Sequence, residues 1–211
     1  MINKSSEVLY IFARESWKKY TFTQIKDLLK KNSKSYIQGV IENFVNEGII
    51  QREKIGNLPI YSLNFNLVKS RVFAGFVLEN YGLGKKNIPY RDMQKFMDKI
   101  PYKGYVFIIT GSYAKERQTK NSDIDVVTLI EDSCEPRRVY AELSQSAELN
   151  IPQIHLYVFK YSEFKEMLYN KEPNYGKEIV KNCLILSGGQ IYINLIKEAI
   201  ENGFNDRRLY W

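Results

Sequence analysis

The chain has 211 residues, 44% hydrophobic and 26% charged, a composition that excludes a collagen-like or largely disordered protein. No apolar run approaches the ~20 residues of a membrane span, and nothing after Met1-Ile2-Asn3-Lys4-Ser5 reads as a secretory signal, so no membrane partner is expected. A formal net charge of +7 points to polyanionic partners, with a lysine-rich solvated surface as the plain alternative. In chain order, Ser6 to about Trp17 predicts a helix, apolar at Val8, Leu9, Phe12 and Ala13. Thr21-Phe22-Thr23 is β-prone, and Thr23 is expected to cap a second helix, Gln24 to Lys31, with Ile25, Leu28 and Leu29 on one face. After a break at Asn32-Ser33, Ser33 or Ser35 is expected to cap a third helix that buries Tyr36, Ile37, Val40, Ile41, Phe44 and Val45 and stops at Gly48. Ile49–Lys54 and Leu58–Leu63 then read as a hairpin about Gly56-Asn57.

Three helices followed by a hairpin, with Ile37 to Tyr61 containing the phrase Asn46-Glu47-Gly48-Ile49-Ile50, resembles archaeal and bacterial winged-helix regulators. The resemblance covers about the first 65 residues. It implies a winged helix-turn-helix domain over residues 1–66 that binds DNA, with Lys34, Ser35 and Gln38 on the outer helix face and Arg52 and Lys54 on the wing. Asn43 shares that outer face, whereas Glu42 and Glu47 oppose DNA, so a dimerisation or protein-docking module is the alternative. Residues 67–100 read as a helical connector: a helix from Asn66 to about Tyr81, a loop over Gly82–Asn87, and a helix from Tyr90 to Ile100.

Residues 101–211 carry the chemistry. The run Tyr105–Thr110 predicts a buried strand, followed by Gly111-Ser112-Tyr113-Ala114-Lys115 and then Ser122-Asp123-Ile124-Asp125 opening a second strand. Asp123 and Asp125, two apart on a strand, point the same way, and two carboxylates on one face suit Mg²⁺. Gly111 lets a backbone approach phosphate closely, and Ser112 offers a hydroxyl and an N–H at a helix start. Lys115, Arg117 and Lys120 are candidates for added positive charge.

The order strand, Gly-Ser turn, short helix, Asp-x-Asp, strand resembles the minimal nucleotidyltransferases of the DNA polymerase beta superfamily. The resemblance implies an α+β fold with a mixed sheet flanked by helices, following the winged helix. It further implies Mg²⁺ bound at Asp123 and Asp125, with a two-metal site open, and ATP or another nucleoside triphosphate held near Gly111, Ser112 and Lys115. Relatives of this kind include antitoxins that adenylylate a tyrosine of a HEPN-type toxin and enzymes that modify small molecules such as antibiotics, which makes a protein acceptor such as a toxin one expectation. Two positions depart from the pattern. Glu116 stands where many members have glycine, and His155, in the strand Gln153–Phe159, stands where catalytic members place a third Asp. His155 is read as a catalytic candidate: a metal ligand, a general base or a phosphate contact, or else a structural replacement in a site that no longer catalyses. Glu131 and Asp132 are expected at the far end of the second strand.

Ser162 is expected to open a capped helix, and Asn174–Asn182 and Gln190–Gly203 read as helices. The ending Ser162-Glu163-Phe164 to Ile185-Leu186-Ser187-Gly188-Gly189 resembles a subgroup of archaeal nucleotidyltransferases. Arg207, Arg208, Tyr210 and Trp211 form a basic aromatic end for nucleic acid or a partner subunit, or a frayed terminus. Cys134 and Cys183 form neither a disulfide framework nor a zinc pattern, which favours a reducing cytoplasm. Two functions follow as expectations. One is a nucleotidyltransferase coupled to a DNA-binding winged helix; the other is a catalytically inactive, nucleotidyltransferase-like DNA-binding regulator. A homodimer fits either, because winged-helix proteins often read two half-sites.

Overall fold

The computed structural model describes residues 5–30, 33–205 and 209. The chain opens with α1 (Ser5–Arg14), β1 (Tyr20–Thr21), α2 (Phe22–Leu29), α3 (Lys34–Asn46) and the hairpin β2 (Ile50–Ile55) and β3 (Leu58–Leu63). Helix α1 buries Val8, Leu9, Phe12 and Ala13, as its spacing predicts. The cap of α2 is Thr21, not Thr23. The Thr21 Oγ1 accepts the Gln24 N–H at 3.3 Å, and the Gln24 side chain accepts the Thr21 N–H at 2.8 Å. That reciprocal pair is a capping box, and it leaves Thr23 inside the helix. Ser33 takes the N-cap position of α3 without a side-chain cap bond, and Ser35 lies within the helix. Gly48, at φ +71°, ends this helix as expected. Its N–H bonds to the Val45 carbonyl and the Ile49 N–H bonds to the Phe44 carbonyl, the paired bonds of a Schellman stop. The hairpin turns at Gly56-Asn57, and the three strands form an antiparallel sheet in the order β1-β3-β2.

Next come α4 (Val68–Leu83), shifted by about a half turn from its predicted bounds, and α5 (Tyr90–Asp98), which starts at Tyr90 as predicted and ends before Ile100. The rest of the chain is β4 (Tyr105–Ile109), α6 (Gly111–Ala114), β5 (Ile124–Ile130), α7 (Pro136–Leu149), β6 (Ile154–Lys160), α8 (Tyr161–Tyr169), α9 (Tyr175–Lys181), β7 (Leu184–Ser187) and α10 (Gly189–Glu201). Its mixed sheet runs β6-β5-β4-β7. Only β5 and β6 are parallel, and α7 makes the crossover that a parallel pair needs. Helix α8 begins one residue before Ser162. Its first turn is held by Glu163 accepting the Lys160 N–H and by Asp132 accepting the Ser162 N–H at 2.9 Å. Asp132 is therefore a helix cap at the far end of β5, and hydrogen bonds from Ser162 hold its carboxyl below the usual range. Lys31, Arg207, Arg208, Tyr210 and Trp211 lie outside the described residues.

Each face of the mixed sheet has its own core. Phe107, Ile109, Val126, Ile130 and Val158 pack with α5 and α7. Val106, Ile108, Val127 and Leu129 join one continuous cluster with α10, α4 and the N-terminal helices. Helix α4 is the element between. It crosses α10 where Gly75 meets Gly189, and Gly82 lies against the Ile185 carbonyl of β7. The Glu79 carboxylate accepts the Gly189 N–H at 2.6 Å and ties the crossing.

Candidate functional site

The end of β4 lies beside the start of β5, so the Gly-Ser turn and the two aspartates meet by strand pairing alone. The Thr110 N–H donates to the Asp125 carbonyl at 2.9 Å, which seats the turn directly on β5. Gly111 follows at φ +65°, in the left-handed region. A Cβ built on Gly111 would stand 1.9 Å from Asp125 Oδ2. The glycine is thus required twice, once for its backbone angle and once so that the Asp125 carboxylate can occupy the space a side chain would fill. Ser112 is half-buried behind it; Lys115, Arg117 and Lys120 are exposed on the turn and the loop leading to β5.

In the parallel pairing, Asp125 is in register with His155. The imidazole stands between both carboxylates: Nε2 is 3.4 Å from Asp123 Oδ2, and Nδ1 is 3.6 Å from Asp125 Oδ1. The three candidate catalytic residues are therefore brought together. The His155 side chain is 49% exposed, too open for a core histidine, so packing does not explain its presence. Around them lie aromatic groups. The Tyr175 hydroxyl is 3.2 Å from Thr110 Oγ1, and its ring centroid is 4.9 Å from that of Tyr157. Burial raises the Tyr175 phenol above its ordinary range, with the Asp125 charge adding to the shift. Tyr113 is likewise raised, by burial first and then by Asp123. A groove of about 400 Å³ opens along the β6 edge, lined by Tyr140, Ser144, Glu148, His155 and Tyr157.

The donors decide what metal chemistry the site suits. Among the described residues, no group of three or more His, Cys, Asp or Glu side chains is arranged to hold a metal ion. Two partly exposed carboxylates fit Mg²⁺, which is commonly held by one or two carboxylates plus substrate phosphates. The register position beside Asp125 presents an imidazole and not a third carboxylate oxygen.

Glu116 adopts φ +54°, so the position where the resemblance expects glycine does use the left-handed conformation. The glutamate is held there by an ion pair with Lys85. With the Glu116 end of the pair open to solvent, it is worth ~1 kcal/mol, about what a non-glycine residue loses in that conformation. Glu116→Gly is accordingly expected to range from neutral to about 1 kcal/mol stabilising, read by chemical denaturation. A clear loss of stability would contradict this account of the turn.

The nucleic-acid candidates are exposed: Lys34, Ser35 and Gln38 on the first turns of α3, and Arg52 and Lys54 on β2. Arg52 is engaged, its guanidinium donating to Glu42 at 2.6 Å. Sequence reasoning missed Tyr157 and Tyr175. The alternation His155, Tyr157, Phe159 in β6 carried the first of these, whereas Tyr175 arrives from a helix 50 residues beyond Asp125, with no local signal.

Residues 91–187 match the family model described as "Nucleotidyltransferase domain". The match covers the Gly-Ser turn, both aspartates and His155, and spans just under half of the chain. The expected nucleotidyltransferase resemblance is therefore borne out over this span. No curated protein matches the chain. A solved structure described as "Crystal structure of the toxin-antitoxin with AMP-PNP" is similar at 18% identity, over 54% of this chain and 86% of that one, with a TM-score of 0.39. Among the described residues, no helix is long and apolar enough to cross a membrane.

Proposed function

We propose that this chain binds a nucleoside triphosphate with Mg²⁺ and transfers its nucleoside monophosphate to an acceptor hydroxyl, releasing pyrophosphate. The observation that carries the reading is the fit of Gly111 onto Asp125, inside a span that matches the nucleotidyltransferase domain. Asp123 and Asp125 would hold the Mg²⁺, which, when bound, neutralises triphosphate charge. The Gly111-Ser112 backbone receives phosphate, and Lys115 adds charge beside it. His155 lines the β6 groove and takes the proton of the acceptor hydroxyl that enters there. ATP is the first triphosphate to test, and a protein acceptor such as a toxin is one acceptor class. A reducing cytoplasm is the proposed compartment.

The N-terminal module is read as a DNA-binding winged helix, over residues 1–66, followed by the connector over 67–100 and the catalytic domain over 101–211. Its support is the order α1-β1-α2-α3-β2-β3 with the exposed set Lys34, Ser35, Gln38, Arg52 and Lys54. One observation favours a second reading, a catalytically silent regulator: His155 replaces the oxygen donor that would complete a two-metal site.

Titration with a non-hydrolysable ATP analogue tests the first reading. Binding is expected to require Mg²⁺ and to weaken at least about tenfold in Asp123→Ala/Asp125→Ala, with an unchanged melting transition. Equal binding without metal or carboxylates would sink it. Duplex DNA titrations at several salt concentrations test the module. Removing Lys54 should lower the salt slope by about one. Glu42→Gln should tighten binding, because it frees Arg52 and removes a negative charge from the DNA-facing side. Binding indifferent to salt and to both changes would remove DNA from the account.

A further inference from the structure

The Gly-Ser turn continues past Ser112. The Lys115, Glu116 and Arg117 N–H groups donate to the carbonyls of Gly111, Tyr113 and Ser112 at 3.2, 3.2 and 2.9 Å, so the chain folds back on the turn. Between Ala114 and Ile124 the chain belongs to no helix or strand. Its placement therefore depends on side-chain ties, and those come from the loop between α4 and α5. Asn87, half-buried in that loop, donates its amide nitrogen to the Tyr113 carbonyl at 3.0 Å and to Gln118 Oε1 at 3.2 Å. Both partners accept, so both amide hydrogens are used, and the oxygen end of the side chain could not take their place. One side chain thus joins the residue after Ser112 to the far end of the fold-back. Lys85, from the same loop, pairs with Glu116 between the two points.

The loop is itself anchored. The Lys85 N–H donates to the Tyr90 hydroxyl at 3.1 Å, and that hydroxyl donates to the Gly82 carbonyl at the end of α4. The Lys85 ammonium donates to the Tyr81 hydroxyl at 2.7 Å, and Tyr81 stacks on Tyr10 of α1 with ring centroids 3.9 Å apart. A fixed donor set against an irregular segment pre-organises it and lowers the ordering cost of binding there. Tyr81, Lys85 and Asn87 all precede residue 91, where the nucleotidyltransferase match begins. The matched span thus leaves out side chains that hold its own turn.

We infer that Asn87 is a positioning residue for nucleotide binding: through Tyr113 and Gln118 it holds the Gly111-Ser112 backbone where phosphate is received. The inference rests on the nucleotide reading. Two measurements on the full chain test it, with Asn87→Ala and Asn87→Asp as variants. Asn87→Asp keeps the shape of the side chain and loses both donors, so a space-filling role would spare it and a positioning role would not. In titrations with a non-hydrolysable ATP analogue and Mg²⁺, both variants are expected to bind about fivefold or more weakly than wild type, with an unchanged melting transition. By hydrogen exchange, the Lys115, Glu116 and Arg117 amides are expected to exchange about fivefold or more faster in both variants, while β5 is unaltered. If either variant fails to fold, Gln118→Ala removes one partner of the same amide and is expected to shift both readouts in the same direction. Unchanged exchange in the turn, or wild-type affinity in Asn87→Asp, would overturn the inference and leave the nucleotide reading standing. A wild type that binds no nucleotide would overturn the nucleotide reading, and this inference with it.

Discussion

Gly75→Ala is expected to destabilise the fold by about 3 kcal/mol or more, a large effect for one methyl group. A Cβ at Gly75 would stand 2.3 Å from the Gln190 backbone nitrogen and 2.5 Å from the Gly189 carbonyl carbon. The obstacle is backbone, which no side-chain rotation relieves. The reciprocal position is equally closed, since a Cβ on Gly189 would stand 2.3 Å from the Gly75 carbonyl oxygen. The two helices must separate to admit the methyl group, and that separation loosens the cluster shared by α4, α10 and the N-terminal helices. Gly39→Ala is the control. It meets nothing within 4 Å in a helix interior, so it should be neutral or stabilising by about 0.5–1 kcal/mol. Urea denaturation of both variants checks the pair; equal effects would mean that the close crossing of α4 and α10 is not what the glycine serves.

Gly111→Ala is expected to act on the site more than on the fold. The left-handed backbone angle costs an alanine about 1 kcal/mol, a modest loss in itself. The larger consequence falls on Asp125, whose Oδ2 lies 1.9 Å from the new methyl position and must move away. On the proposed reading of Asp125 as a metal-holding carboxylate, that displacement is expected to weaken metal-dependent nucleotide binding by up to about tenfold, no more than removing the carboxylates does. Combining Gly111→Ala with Asp125→Ala separates the two effects. Removing the carboxylate relieves the clash, so the double variant should be more stable than the two single changes sum to, while nucleotide binding stays lost. Additive stabilities would mean that the contact between turn and carboxylate carries no strain.

Local signals carried much of the fold. Gly48 and the Gly56-Asn57 turn gave helix stop and hairpin correctly, because each depends on a backbone conformation written in one or two residues. The cap of α2 was misplaced by two residues, since Thr21 and Thr23 both offer a hydroxyl and only the reciprocal partner Gln24 chooses between them. Helix α7 was not foreseen. Its sequence, Pro136 to Leu149, is largely polar and buries Val139, Leu143 and Ala147 alone, so its amphipathic signal is thin. The site was legible where chemistry is local: Gly111, Ser112, Asp123 and Asp125 stand on one strand-turn-strand unit. The partnership of Asp125 with His155 depends on β5–β6 register, and Tyr175 depends on packing, so neither contact was readable from spacing.

On the proposed reading, Asp123, Asp125 and His155 serve nucleotidyl transfer. Label transfer from α-³²P ATP tests it most directly, with the other triphosphates in parallel, in Mg²⁺ and in Mn²⁺, and lysate from the source cells as acceptor. Label is expected on an acceptor, with its loss in Asp123→Ala/Asp125→Ala and a rate about 10²–10⁴-fold lower in His155→Ala with folding unchanged. No transfer from any triphosphate by a folded chain that still binds DNA would contradict it, and would leave the carboxylates and His155 as the frame of a regulator.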